Sequence, residues 1–169
     1  TVRGVLATFP ERFERHHIAG GLAKLGLSTE EPGDRRMLTD LLDWMRETRA
    51  DYTATFAGLA GLAESGAATA DDRGLPGRPG WAEAWLARLE RQPGSRPEAV
   101  AHLRRSNPVV IPRNHRVEEA LAAAAAGDLS VFERLVAVVR SPFTETPANE
   151  PYRHGPPPGC GPYGTFCGT

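Results

Sequence analysis

The stretch from Asn107 to Phe143, NPVVIPRNHRVEEALAAAAAGDLSVFERLVAVVRSPF, limits the fold of this chain more than any other. Pro108 and Pro112 hold its start extended, because proline fixes its own φ and pushes the residue before it out of the α region. The pattern then predicts a helix from about Arg113 to Ala126, with Val117, Leu121 and Ala124 at three- and four-residue spacing. Gly127 stops that helix, since glycine takes the left-handed conformation without steric cost. A second helix begins within three residues. Ser130 and Glu133 have the spacing of a capping box, and Leu129 is placed to act as a staple. Phe132, Leu135, Val136 and Val139 form its apolar face, and Pro142 ends it. Helices joined by so short a link run antiparallel, so the stretch reads as a helical hairpin.

The remainder of the chain repeats the helical period. A first helix is expected from Pro10, which suits a first turn, to Leu25, with a patchy face of Phe13, Ile18, Leu22 and Leu25. Gly20-Gly21 interrupts it, signifying close packing or a kink, and Gly26 caps it. The second helix, Asp34 to about Arg49, carries Met37, Leu38, Leu41, Leu42 and Met45 in a core-facing stripe, with Asp34 as its cap. A third follows from Tyr52 to Leu62 with Tyr52, Phe56 and Leu59, either starting afresh or continuing the second through a bend. From Gly61 to Gly80 the residues are small and polar, and a flexible insertion is expected at about 63–80. Trp81, Trp85 and Leu89 mark a fourth helix to about Arg91, broken by Pro93-Gly94; Val100 and Leu103 mark a fifth from Pro97 to Arg105. Val109 to Ile111 is the one candidate extended segment. The class is mainly α: a helical region over 1–143 and a Pro-rich tail over 144–169, whose prolines at 147, 151, 156, 157, 158 and 162 exclude regular helix. That tail is expected to lie extended over the body.

Composition excludes more than it selects. At 169 residues, 40% of them apolar, the chain is one domain or part of a larger one. Of twenty basic residues all but Lys24 are arginine, yet the net charge of −1 gives no overall field for nucleic acid. A helix-turn-helix reading of the hairpin fails because Arg134 and Arg140 form no basic stripe on its second helix. No apolar run reaches the roughly 18 residues of a membrane span and no signal segment opens the chain, so no membrane partner and a cytoplasmic location are expected. The start at Thr1, without methionine and directly before a helical pattern, points to a processed or truncated terminus.

Few residues carry chemistry. Cys160 and Cys167, both within the last ten residues, could exchange disulfides with a partner thiol or be an accidental pair. With His154 they supply three zinc ligands where structural sites need four. His16, His17, His102 and His115 are scattered without a triad spacing. Arg113-Asn114 could grip phosphate, although a capping Asn114 with Arg113 tying the turn is the simpler reading. Arg35-Arg36 and Arg104-Arg105 read as solvated faces, and Trp81 and Trp85 as core anchors. There is no G-x-G-x-x-G loop, no Walker lysine motif, and no D-F-G or H-R-D pattern.

One order of residues resembles a known family. Asn107-Pro108, Arg113-Asn114, Gly127-Asp128-x-Ser130, Glu133-Arg134-Leu135 and Arg140-x-Pro142-Phe143 look like the C-terminal region of the selenoprotein O family, kinase-like proteins that transfer AMP to other proteins. KLGL at 24–27, LLDWMRETRADYTATF at 41–56 with its D-Y-T, and the terminal FCGT at 166–169 fit the same family in the same order. The resemblance implies the late C-lobe of a kinase-like fold. It implies a full-length adenylyltransferase using ATP and Mg2+ on Ser, Thr or Tyr hydroxyls of protein substrates, with its kinase-like part upstream of Thr1. It also implies a redox role for Cys167, which stands at the family's terminal cysteine or selenocysteine. No catalytic, nucleotide-binding or metal residue is assigned to this chain, and the 169 residues alone are expected to be inactive. The rival from another class is a non-catalytic helical interaction module, which a start codon immediately upstream of Thr1 would favour.

Overall fold

The computed structural model describes residues 2–66, 80–157 and 159. The described residues form seven helices and no strand: α1 Val2–Lys24, α2 Asp34–Thr48, α3 Tyr52–Ser65, α4 Trp81–Arg91, α5 Arg96–Ser106, α6 Asn114–Ala125 and α7 Ser130–Val139, with a 3-10 turn at Glu150–Tyr152. The mainly α class expected from periodicity is what these residues form. The chain divides into two compact units, Thr1–Asn107 and Pro108–Thr169. Cys160, Cys167 and most of the small-polar connection, residues 67–79, lie outside the described residues.

In the first unit, α1 and α3 pack on α5, α1 packs on α2, and α4 touches α5. The core runs through Leu22, Leu25, Leu38, Leu41, Trp44, Phe56, Leu59, Trp85, Val100 and Leu103. Most of the α2 stripe lies where its period placed it, with Met37 and Leu42 partly buried at its margin and Trp44 joining it. Arg49 adopts a left-handed φ of 57° after α2, so α3 starts afresh rather than continuing through a bend. Asp51 caps the new helix by accepting the Ala54 amide at 2.8 Å. The third helix also runs through Ser65, and Leu62 and Ala63 belong to the core, so residues 63–65 are helix rather than the start of the expected insertion.

Two expectations about α1 change. Its start lies eight residues ahead of Pro10, which sits inside the helix. Residues 4–17 are exposed, so water can hydrate the carbonyl that the missing proline N–H leaves unpaired. The patchy apolar face is really two faces. Ile18, Leu22 and Leu25 turn toward the core, whereas Phe13 is 59% exposed. Gly21 resolves the glycine pair: a Cβ there would meet Leu38 Cδ2 at 2.2 Å, so the pair permits close packing on α2, and nothing crowds Gly20.

In the second unit, α6 and α7 form the expected hairpin. Gly127, at φ 92°, ends α6 in a Schellman motif: its amide donates to Ala124 O at 3.0 Å and the Asp128 amide to Ala123 O at 2.9 Å. The capping box does not form. Ser130 is the first residue of α7, and the Asp128 carboxylate accepts its amide at 2.9 Å. The S-x-x-E box is instead at Ser95 and Glu98 on α5, where both reciprocal bonds are present. Ala120 and Leu135 are the buried residues of the hairpin helices, while Leu121 and Phe132 stand exposed against expectation. Val109 and Val110 form no strand; both donate their amides to Pro142 O, at 2.7 and 3.2 Å, closing the open end of the hairpin.

Candidate functional site

The end of α1 gathers more polar contacts from distant segments than its four residues, Lys24-Leu25-Gly26-Leu27, suggest. Gly26 at φ 75° again makes a Schellman motif, with Gly26 N–H on Ala23 O at 3.0 Å and Leu27 N–H on Leu22 O at 2.9 Å. Leu22 and Leu27 are both buried, as that motif's apolar pair should be. Three successive carbonyls then remain for outside donors. Asn107 Nδ2 donates to Lys24 O at 2.9 Å, Trp85 Nε1 to Leu25 O at 3.0 Å, and Gln92 Nε2 to Gly26 O at 3.0 Å. Gln92 Oε1 accepts the Ser28 amide at 2.9 Å as well. A buried helix terminus demands such partners, and here Trp85 and Gln92 from α4 and its end, with Asn107 from the end of α5, supply them.

Lys24 completes the junction. Its Nζ donates to Asn107 Oδ1 at 3.3 Å and Ser106 O at 3.4 Å, and lies 5.5 and 5.3 Å from the ring centres of Tyr52 and Phe56. Partial burial lowers the ammonium pKa and raises that of the Tyr52 phenol. The segments KLGL, D-Y-T and N-P, which carried the resemblance separately, thus meet around one side chain. The chemistry is that of a lock: an ammonium held by neutral oxygens and aromatic faces, with Asn107 bonded to both ends of Lys24.

A second polar centre joins α4 to the start of α2. Arg88 on α4 and Asp34 at the start of α2 are 1% and 2% exposed. Arg88 Nε and Nη2 donate to Asp34 Oδ1 and Oδ2 at 2.9 and 3.0 Å, and Nη2 also reaches Thr29 O at 2.8 Å. Asp34 accepts the Glu31 amide at 2.7 Å, so it ties the preceding turn rather than capping α2, whose cap is Gly33. The only cue was Arg88 standing one turn from Trp85 and next to Leu89 on an otherwise apolar face. A bidentate pair of this kind joins charge neutralisation to two charge-assisted hydrogen bonds.

Arg113 and Arg116 hold the tail. Arg113 Nη2 donates to Arg153 O at 2.8 Å and Arg116 Nη2 to Pro151 O at 2.9 Å, with Arg116 stacked 5.6 Å from the Tyr152 ring centre. Asn114 is the first helical residue and not the cap, so that reading is corrected, and the Arg113 guanidinium is engaged by backbone. Between Thr144 and His154 the chain makes turns: buried Asn149 cross-braces Thr144 and Thr146, and Glu150 contacts His154 at 2.7 Å. Trp81 and Trp85 are core anchors, stacked 5.9 Å apart. Arg35 pairs with Glu30 and Glu14, Arg36 with Asp40, and Arg104 with Glu64. A surface cleft of about 510 Å³ beside α5 contains Val100, Arg96 and Arg104, but Arg96 already donates to Ala63 O and Arg104 to Glu64. Among the described residues no three His, Cys, Asp or Glu side chains converge to hold a metal ion. The predicted redox residue Cys167, with Cys160, falls outside them.

Comparison with known proteins identifies what these segments are similar to. The model of the family described as "Protein adenylyltransferase SelO" matches residues 1–140. The protein nucleotidyltransferase YdiU of Geobacillus kaustophilus is 46% identical over 168 residues, covering 99% of this chain and 34% of that protein. YdiU of Cereibacter sphaeroides strain ATCC 17023 is 46% identical over 167 residues, covering 98% of the chain and 34% of its own length. YdiU of Rhizobium etli is 41% identical over 170 residues, again with 34% of its length covered. The chain therefore spans about a third of the length of the curated relatives it matches.

Proposed function

Because this chain belongs to the SelO family of protein adenylyltransferases, we propose that it is the C-terminal third of an enzyme that transfers AMP from ATP to Ser, Thr or Tyr hydroxyls of other proteins. The observation that carries the reading is the family match over residues 1–140, supported by relatives at 46% identity across nearly the whole chain. In such a transfer the hydroxyl oxygen bonds to the α-phosphorus and the bond from that phosphorus to the bridging oxygen breaks. Pyrophosphate departs with the electron pair, and the hydroxyl proton passes to a base or to solvent. Catalysis of this kind rests on positioning and on neutralising phosphate charge, which Mg2+ supplies when bound.

The described residues do not fit the metal or the triphosphate. No three acidic or imidazole groups converge, and the buried arginine Arg88 is occupied by Asp34. No step through either group is placed on this chain. Its part in the enzyme is to hold the late C-lobe of a kinase-like fold together through the Lys24–Asn107 lock. Cys167 adds redox control by pairing with a cysteine of the upstream part, the two thiols giving two electrons and two protons to a peroxide-class oxidant.

The test is transfer of label from α-phosphate-labelled ATP to protein. Full-length protein with Mg2+ is expected to label acceptor proteins, and the 169-residue chain is not. Labelling by the isolated chain, or none by the full-length protein, overturns the assignment. For Cys167, the full-length Cys167→Ser variant should lose the response of transfer to oxidant; an unchanged response removes the redox role.

A further inference from the structure

The first sixteen residues of α1 present an apolar stripe that the described fold leaves uncovered. Val5, Leu6, Phe9 and Phe13 are 61%, 65%, 59% and 59% exposed. They recur at one, four and eight residues from Val5, the spacing of a single helix face. The Phe9 and Phe13 rings stack at 5.9 Å, and Phe13 stacks on His17 at 5.8 Å. Downstream, α1 buries Leu22, and Leu25 just past its end is buried too, with Ile18 packed beside them. At about 100° per residue the two sets point to opposite sides of the helix, so the core that takes Leu22 cannot also take Phe9. The side away from the stripe is polar and solvated, with Glu14 in a surface ion pair to Arg35 of α2 at 3.1 Å. A helix with apolar faces turned in opposite directions at its two ends joins two bodies, one of which is the α2–α5 core.

The relatives indicate what the other body is. About two thirds of each lies outside the stretch that matches this chain, and the stretch corresponds to their C-terminal part. We propose that the stripe Val5, Leu6, Phe9 and Phe13 is the seat for the polypeptide preceding Thr1, which lays an apolar surface of its own across the outward face of α1. The inference rests on the reading of this chain as the C-terminal third of a longer enzyme. It adds where that enzyme's two parts are joined. The stripe carries no charge, so the covering surface is apolar rather than acidic or basic, and burial of two phenylalanines supplies most of the hold.

The experiment compares maleimide labelling of Phe9→Cys and Val5→Cys in full-length protein and in the 169-residue chain, with Glu11→Cys on the opposite side of the helix as reference. Labelled peptides are resolved by mass spectrometry, so the native cysteines do not interfere. In the 169-residue chain all three positions should react at similar rates. In full-length protein Phe9→Cys and Val5→Cys should slow at least about tenfold relative to Glu11→Cys, the factor that a 1.4 kcal/mol local opening imposes. Equal rates in the two proteins overturn the proposal while leaving the transfer reading intact. Protection that appears in the 169-residue chain and grows with its concentration assigns the stripe to a second copy instead, and also overturns it. An upstream reading frame that does not continue into this chain removes both readings together, whereas failure of AMP transfer with protection intact removes only the enzymatic one.

Discussion

The two compact units are both helical, but they are stabilised by different means. The first gathers its helices around fully enclosed side chains, with Leu25, Leu41, Leu59, Trp85 and Leu103 each 0% exposed. Enclosing such side chains is worth about 1.5–3 kcal/mol for each aliphatic one. In the second, α6 and α7 together bury only Ala120 and Leu135, and the connections are made by backbone caps and by arginines on tail carbonyls. A hairpin that short of enclosed surface depends on satisfying its helix ends. The lesson is that similar helical grammar leads to a packed core in one unit and to a capped, braced hairpin in the other.

The largest effects should therefore come from the first unit. Trp85→Ala removes an enclosed indole and leaves Leu25 O without its donor, and about 3–5 kcal/mol of unfolding free energy should be lost. Phe132→Ala, at a large aromatic on α7 that is 47% exposed, should change stability by no more than about 0.5 kcal/mol. Urea unfolding of the chain measures both, and a Phe132 loss as large as that of Trp85 would erase the contrast. Next comes Arg88→Met, which strands the Asp34 carboxylate in the interior and should cost about 3–5 kcal/mol. The double variant Arg88→Met/Asp34→Leu should recover most of that loss, because apolar replacements for a buried pair are often neutral. If the double variant is no better than the single, the pair is holding the 29–34 turn rather than neutralising a charge.

The two Schellman glycines give a sharper comparison, since their backbone roles are the same. Gly127→Ala meets nothing within 4 Å, so only the positive φ opposes it, at about 1 kcal/mol. Gly26→Ala carries the same penalty, and its Cβ would also lie 2.7 Å from Leu103 Cγ, inside the core. Overpacking of that sort adds about 1–3 kcal/mol. The difference between the two alanine variants, read from urea midpoints, isolates what the enclosed core adds to an identical cap. Equal losses would mean that Leu103 moves aside without cost.

What the sequence made legible follows the same division. Helix number, the α2 stripe and the Trp81 and Trp85 anchors were readable because each is a periodic pattern enforced by burial. The two faces of α1 were not, because Phe13 and Ile18 are individually apolar and only the three-dimensional core separates them. The Ser130–Glu133 box failed on competition: Asp128 lies nearer to the orphan amide, and the Schellman turn at Gly127 aims its carboxylate there. The same S-x-x-E spacing stands at Ser95 and Glu98, where both reciprocal bonds form. The Lys24 junction is assembled from three family-like pieces, but a contact between residues 24 and 107 is not encoded in any local pattern. Arg88–Asp34 is the extreme case, a pair of charges whose enclosure contradicts what either residue type signals alone.

The smallest predicted effect concerns the two capping carboxylates, one in each unit. Hydrogen bonds from the Ser95 backbone and side chain hold Glu98 below its ordinary value, and bonds from Ser130 do the same for Asp128. A carboxylate with a depressed folded pKa binds fewer protons folded than unfolded over the window between the two values. Its contribution is complete above the unfolded pKa and is lost as pH falls through the folded one. Stability should thus decline on acidification from just above the ordinary carboxylate range downward. Asp128→Asn and Glu98→Gln keep an acceptor oxygen but cannot titrate, so each should flatten part of that decline by bringing the neutral-pH stability down toward the acid value. Amide exchange distinguishes the units. Acid should speed exchange at the start of α7 before the start of α5, because Val100 and Leu103 still anchor α5 in the core when its box protonates, while α7 has Leu135 alone. Simultaneous release of both helix starts would show that the hairpin is anchored as firmly as the core, against the contrast drawn between them.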